Sequence, residues 1–238
     1  MKPGKIISIV LLTLFVGKIV AEPLSVSYKP YYDTSFGVNY HQNWIAPKPG
    51  WDQLLVKTQP GFNFYFGWRF HHNFSADLGY EWSANKTLTT VINSNATFLG
   101  VQNTGGAVAL TGKVRFKTGH LDINYFYPVL VGKFSGFAPE GILSVGLGTT
   151  KAHVRIIADP DGGFASNFTS LQGRDKILYR LGVGIQTLLV EDIGARMIAR
   201  VENTSMLRAR GSVVAENDGT KRLFKDGFSL AVGLFVKF

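Results

Sequence analysis

The final eleven residues, Phe228-Ser229-Leu230-Ala231-Val232-Gly233-Leu234-Phe235-Val236-Lys237-Phe238, alternate in character with a period of two. Phe228, Leu230, Val232, Leu234, Val236 and Phe238 share one face, and Ser229, Ala231, Gly233, Phe235 and Lys237 share the other, as a β-strand requires. In a soluble sheet the apolar face would lie on a protein core. Here the small and polar face reads as the inside, and the apolar face reads as a surface for lipid. That inversion is a severe constraint. In hydrocarbon every backbone polar group needs a protein partner, and strands meet that demand only in a closed barrel.

The alternation recurs along the chain at a spacing that suits membrane strands of about 9 to 11 residues. Tyr32, Thr34, Phe36, Val38 and Tyr40 oppose Asp33, Ser35, Gly37 and Asn39. Phe62, Phe64, Phe66, Trp68 and Phe70 oppose Asn63, Tyr65, Gly67 and Arg69, and after His71-His72-Asn73 the residues Phe74, Ala76, Leu78, Tyr80 and Trp82 oppose Ser75, Asp77, Gly79 and Glu81. Further segments follow at Leu121–Tyr127, Leu143–Leu147, Tyr179–Ile185 and Ala195–Val201; the last sets Ala195, Met197, Ala199 and Val201 against Arg196, Ile198, Arg200 and Glu202. With the C-terminal strand this predicts eight. The expected fold is all-β: an eight-stranded antiparallel up-and-down transmembrane β-barrel.

Connection lengths assign the two ends. His71 to Asn73, Gly132 to Pro139 and Glu191 to Ile193 are short, whereas 42–58, 87–108, 157–175 and 204–226 are long. Short periplasmic turns and long outer loops are the pattern of outer-membrane barrels, which puts both termini on the periplasmic side. Leu110 to Lys117 is expected to extend the fourth strand beyond the membrane.

The N-terminus carries Lys2 and Lys5, then an apolar run from Ile6 to Val16, then a short stretch ending at Ala21. This is the pattern of a cleaved secretory signal, too short for a membrane-spanning helix. Two regions are therefore expected, a signal peptide at 1–21 and a barrel domain at 22–238. The chain has no cysteine, which excludes disulfides, thiolate metal sites and a lipid-anchored lipoprotein. Without Lys2, Lys5 and Lys18, 22 basic residues face 16 acidic ones, a net charge of +6. The scattered basic residues and the export signal favour an anionic surface such as lipopolysaccharide phosphate, with no nucleic-acid partner.

Taken together, the chain resembles the OmpA-like family of small outer-membrane β-barrels, porin-like and without a peptidoglycan-binding domain. The residues that carry the resemblance are Asp122-Ile123-Asn124-Tyr125-Phe126-Tyr127, Gly141 to Gly148, Arg180 to Ile185, Arg200 to Thr204 and the closing strand. The resemblance implies residence in the outer membrane of a Gram-negative bacterium and contact with outer-membrane lipid. It implies that Leu230, Val232, Leu234, Val236 and Phe238 form the signal read by the barrel-assembly machinery, with periplasmic chaperones as transient partners. It further implies that function resides in the long loops, facing an extracellular or host ligand.

The face assignment places Asp33, Asp77, Glu81, Asp122 and Glu202 in the interior with Arg69, Arg180, Arg196, Arg200 and Lys237. An eight-stranded barrel is only wide enough for its side chains to fill it. A paired polar core that fixes strand register is therefore expected, with a narrow ion path as the alternative. No cofactor, metal or catalytic residue is assigned. His71 and His72 read as a polar turn, and His41 and His153 as residues that could approach the outer rim without a recognisable catalytic motif. Trp44, Trp51, Trp68 and Trp82 fit interfacial girdles, and Asp159 to Gly163 reads as a turn. The expected function is a structural or surface-interaction role and not an enzymatic one; the alternatives are a narrow-pore, porin-like channel and, third, a lipid A-modifying enzyme.

Overall fold

The structure is a computed structural model that describes residues 33–129, 139–159, 164, 172–173, 176–207, 209–210 and 222–238. The signal segment, Tyr32, most of the 132–139 turn and the 160–163 turn lie outside the described residues. The long strands are β1 (Asp33–Pro47), β2 (Thr58–His71), β3 (Phe74–Ser83), β4 (Lys86–Ile92), β5 (Val108–Pro128), β6 (Glu140–Asp159), β7 (Lys176–Leu188), β8 (Ile193–Glu202) and β9 (Phe224–Lys237). Eight of them close a ring in the order β1-β2-β3-β5-β6-β7-β8-β9, every neighbour antiparallel. The ring closes by β9 against β1, from Ser35 opposite Lys237 to Trp44 opposite Phe228. Beside it Thr34 and Phe238 exchange backbone hydrogen bonds, and the Thr34 hydroxyl also donates to the Phe238 carbonyl at 2.7 Å.

The exterior is that of a transmembrane β-barrel. Phe36, Phe62, Phe66, Leu78, Leu121, Val145, Leu181, Met197, Val232 and Leu234 are all exposed. Outward aromatics gather in two bands. Trp68, Phe70, Phe74, Tyr125 and Tyr127 form a chain of ring contacts at the short-turn end; Tyr40, Phe62 and Trp82, with Trp44 on Phe228, lie nearer the long-loop end. Rings with an apolar body and a polar edge suit the membrane–water boundary.

β5 and β6 run to 21 and 20 residues, far more than a membrane crossing needs. Their upper halves pair from Ala109–Asp159 to Thr118–Thr150, and β4 adds to the β5 edge from Lys86 opposite Val114 to Ile92 opposite Val108. Much of the expected 87–108 loop is therefore sheet, and the expected 42–58 loop contracts to residues 48–57.

What fills this upper part departs from expectation. Between β1 and β2 the chain makes a turn of 3-10 helix at Trp51–Gln53 and drops Trp51, Leu54 and Leu55 into the barrel mouth. They pack with Ile45, Ile92, Leu110, Val114, Phe116, Val154, Ile156, Leu223 and Phe224 in one apolar core. Gly112 makes this approach feasible: a Cβ there would lie 2.1 Å from the Leu54 carbonyl oxygen. Trp51, 1 % exposed, is thus a plug and not an interfacial girdle residue.

Candidate functional site

Toward the short-turn end from the apolar cap, the inward positions of β5 and β6 change character. Along β5 the inward residues run Val108, Leu110, Gly112, Val114 and Phe116, and then Thr118, His120, Asp122 and Asn124; along β6 they run Ala158, Ile156, Val154 and Ala152, and then Thr150, Gly148, Gly146 and Ser144. The boundary is the Thr118–Thr150 pair, whose hydroxyls hydrogen-bond at 2.8 Å. The lumen beyond it is the candidate site.

At its centre Arg180 grips Asp122 with two hydrogen bonds, Nε to Oδ1 at 2.7 Å and Nη2 to Oδ2 at 2.6 Å, and donates from Nη1 to Glu81 Oε1 at 2.8 Å. Arg200 lies 3.7 Å from Glu81 and 3.5 Å from Asp122, while Glu202 lies 3.9 Å from Arg180 and accepts from the Ser229 hydroxyl at 3.2 Å. Asn63 donates to Glu81 at 2.6 Å, and His120 reaches both Glu81 (3.5 Å) and Asp122 (3.2 Å). Gly146 makes room for this cluster: its Cβ would meet Asp122 Oδ1 at 2.0 Å and the Arg180 side chain at 2.7 Å.

A second tier sits nearer the short turns. Arg196 donates to Asp77 at 2.5 Å and to Gln186 through Nε and Nη2, and its guanidinium lies over the Tyr65 ring at 4.6 Å. Gln186 passes a hydrogen bond to Glu140 at 2.8 Å, and Glu140 accepts two from Arg69 at 2.7 and 3.0 Å. Arg69 also donates to the His72 carbonyl, tying the β2–β3 turn to the lumen, and stacks on Phe126 at 4.4 Å. Lys237 donates to Asp33 at 3.2 Å at the rim of a small cavity lined also by Ser35, Ser75, Phe126 and Phe235.

The ten charged residues assigned to the interior thus fall into two groups. Asp77, Glu81, Asp122, Arg180, Arg196, Arg200 and Glu202 are buried and joined; Asp33, Arg69 and Lys237 line the short-turn end, with Arg69 reaching inward to Glu140. Bidentate arginine–carboxylate pairs are what make buried charge tolerable, because isolated charges in such a space cost several kcal/mol each. Sequence reading missed Glu140, which it placed just past a turn, and His120, whose inward position follows from the outward Leu121. His41 and His153 do not meet at the rim: His41 is 2 % exposed within the lumen, whereas His153 faces outward on β6. Among the described residues no cluster of His, Asp and Glu could hold a metal ion.

Leu230, Val232, Leu234, Val236 and Phe238 lie on the outer face of β9. Phe238 contacts Phe66 across the closure at 6.3 Å between ring centres.

No family model matches the chain, and a search of curated proteins finds no match. Among the solved structures similar to it are small outer-membrane barrels. They include the outer membrane protein OprG from Pseudomonas aeruginosa (13 % identity, TM-score 0.49, 90 % of this chain and 99 % of that one). Another is Neisserial surface protein A (13 %, 0.44, 87 % and 97 %). A third is Ail of Yersinia pestis, solved with a heparin analogue (11 %, 0.42, 87 % and 99 %). What those proteins bind is a property of those proteins.

Proposed function

We propose that the chain is an outer-membrane protein of a Gram-negative bacterium, a member of the OmpA-like family. It is exported by a signal cleaved near Ala21 and assembled through the β9 signal. Its role is non-enzymatic: a rigid, closed barrel holds long loops at the cell surface for an extracellular or host ligand. The observation behind this reading is the filled lumen. Arginines and carboxylates pair along the membrane section, and the Trp51 turn stoppers the upper section, leaving the loop end as the surface on which members of such a fold differ. Replacing residues 93–107, which join β4 to β5, with an Asn-Gly turn should abolish adhesion to ligand-coated surfaces while leaving the heat-modifiable gel band of the folded barrel. Unchanged adhesion for this and the other loop deletions would remove the surface-interaction role.

A narrow-pore channel is the second reading, and a specific feature favours it. Asn39, His41 and Asn43 on β1 and Gln59, Asn63 and Tyr65 on β2 carry buried polar atoms with no protein partner among the described residues. They form a polar strip along one wall from the short-turn cavity toward the cap. Planar-bilayer recording separates the readings: the closed barrel gives no discrete conductance, and a conductance altered by Arg196→Ala or Arg200→Ala would establish the pore.

A further inference from the structure

Where β5 and β6 leave the lipid-facing belt, their outward positions turn basic. β5 presents Lys113, Arg115 and Lys117, and β6 presents Lys151, His153 and Arg155. The register sets like against like: Lys113 stands opposite Arg155, Arg115 opposite His153 and Lys117 opposite Lys151. The flanking outward positions are Thr111, Gly119, Thr149 and Ile157, and on β4 Thr87 stands opposite Lys113; among the described residues of β4, β5 and β6 the one carboxylate on this face is Asp159, at the end of β6 opposite Ala109 and two pairs beyond the Lys113–Arg155 rung. Lys113, Arg115, Lys117 and Arg155 have no ion-pair partner among the described residues. Like charges placed directly opposite each other destabilise a sheet. A bound polyanion reverses that sign.

Height on the barrel identifies the anion. From Tyr127, in the aromatic band of the short-turn end, ten residues of β5 lead to Lys117; at about 3.3 Å per residue and a tilt near 40° this is about 25 Å along the barrel axis, the height of the apolar belt. The ladder therefore starts where the hydrocarbon ends. It also shares the face of Leu121, Ile123, Val145 and Leu147 and looks sideways along the membrane, not up from the loop tips. We propose that this basic ladder binds the phosphate groups of the glucosamine-based lipid of the outer leaflet, locking the barrel to its neighbouring lipid molecules. The inference rests on the outer-membrane reading and gives its lipid partner a site.

The test uses full-length mature protein refolded in phosphatidylcholine vesicles containing either bisphosphorylated lipid A or the same lipid without phosphate. The triple variant Lys113→Gln/Arg115→Gln/Arg155→Gln is compared with wild type and with a charge-matched control, Lys57→Gln/Arg222→Gln/Lys225→Gln. Mass spectrometry reads the lipid A retained on immobilised barrel through a detergent wash. Wild type and control should retain the phosphorylated lipid and not the phosphate-free one. The triple variant should lose about a hundredfold, the combined effect of three Lys or Arg contacts at an anionic surface. Should the triple fail to fold, the single rung Lys113→Gln/Arg155→Gln is read instead and should show a smaller loss. Equal retention by the ladder variant and wild type, or equal retention of both lipids, overturns the proposal. So does tight binding of a soluble sulfated oligosaccharide by a wild type that retains no lipid A, which would assign the ladder to an extracellular polyanion. Absence of a heat-modifiable band in wild type is a separate result, and defeats the barrel reading itself.

Discussion

Toward the short turns from the Thr118–Thr150 pair the barrel is filled with paired charge around a small apolar cluster of Phe126, Ile142, Ile198 and Ala231; on the other side of that pair it is filled with hydrocarbon, although β5 and β6 run unbroken through both. The outer surface changes in the opposite sense, from Leu121 and Leu147 to Lys113, Arg115 and Arg155. The two regions obey one rule under different solvents. In the membrane the apolar side chains belong outside, and the interior needs something polar that can satisfy itself. Beyond the membrane, water lies outside and the ordinary inside-out order returns. A single pair of strands carries both arrangements by reversing the phase of its alternation near Phe116.

If that comparison is right, the two regions should fail differently. The largest effect is expected in the charged half. Asp122→Ala leaves Arg180 and Arg200 without their shared carboxylate, which should cost about 3–5 kcal/mol as a broken buried pair. The urea midpoint of the vesicle-folded barrel reads this, and the double change Asp122→Leu/Arg180→Met should recover part of it, because Arg180 is no longer stranded and Glu81 keeps Arg200, while Glu202 loses its arginine. A midpoint unmoved by Asp122→Ala would mean that water, not arginine, balances the lumen.

The apolar half should respond to loss of volume. Trp51→Ala empties the plug and should cost about 3 kcal/mol, the low end for a buried aromatic because a loop-borne cap can settle into the space. Limited proteolysis should then cut within 48–57 while the membrane-spanning strands stay protected. Protection unchanged from wild type would show that the turn is not what seals the mouth.

On the outside, Leu234→Arg sets a charge in lipid and should cost about 2–3 kcal/mol. The adjacent Gly233→Val faces inward and should fail for another reason, since its Cβ would sit 2.0 Å from the Val38 carbonyl oxygen. Thinning the bilayer should relieve the first defect and leave the second. The smallest effect belongs to the short-turn rim: Glu140→Gln should move the midpoint by about 1 kcal/mol or less, because the Arg69–Glu140 pair is partly open to water.

The ring of eight strands was legible in the sequence because alternation is local: Phe62 to Phe70 and Phe228 to Phe238 declare their faces without reference to any other part of the chain. The interior charges followed from the same parity. The cap did not, because Trp51, Leu54, Leu55 and Phe224 come from loops whose meeting depends on ring closure. One signal was nonetheless present. Val108, Leu110, Val114 and Phe116 are even-numbered, whereas Leu121, Ile123 and Tyr125 are odd, and that shift of phase inside one strand marks the point where the membrane ends. Glu140 was hidden by its position beside a turn, where parity has no run of residues to establish it.

The central claim is that β9 shows lipid to one face and a packed interior to the other, and the cysteine-free chain allows it to be tested residue by residue. Single cysteines from Phe228 to Val236, each carrying an environment-sensitive fluorophore in folded, vesicle-inserted barrel, can be quenched by brominated lipid. Quenching should follow a period of two, strong at 228, 230, 232, 234 and 236 and weak at 229, 231 and 235, with Gly233 left unlabelled because the Val38 carbonyl leaves no room there for a side chain. Quenching that is uniform, or strong at the odd positions, would contradict the face assignment and the transmembrane barrel built on it.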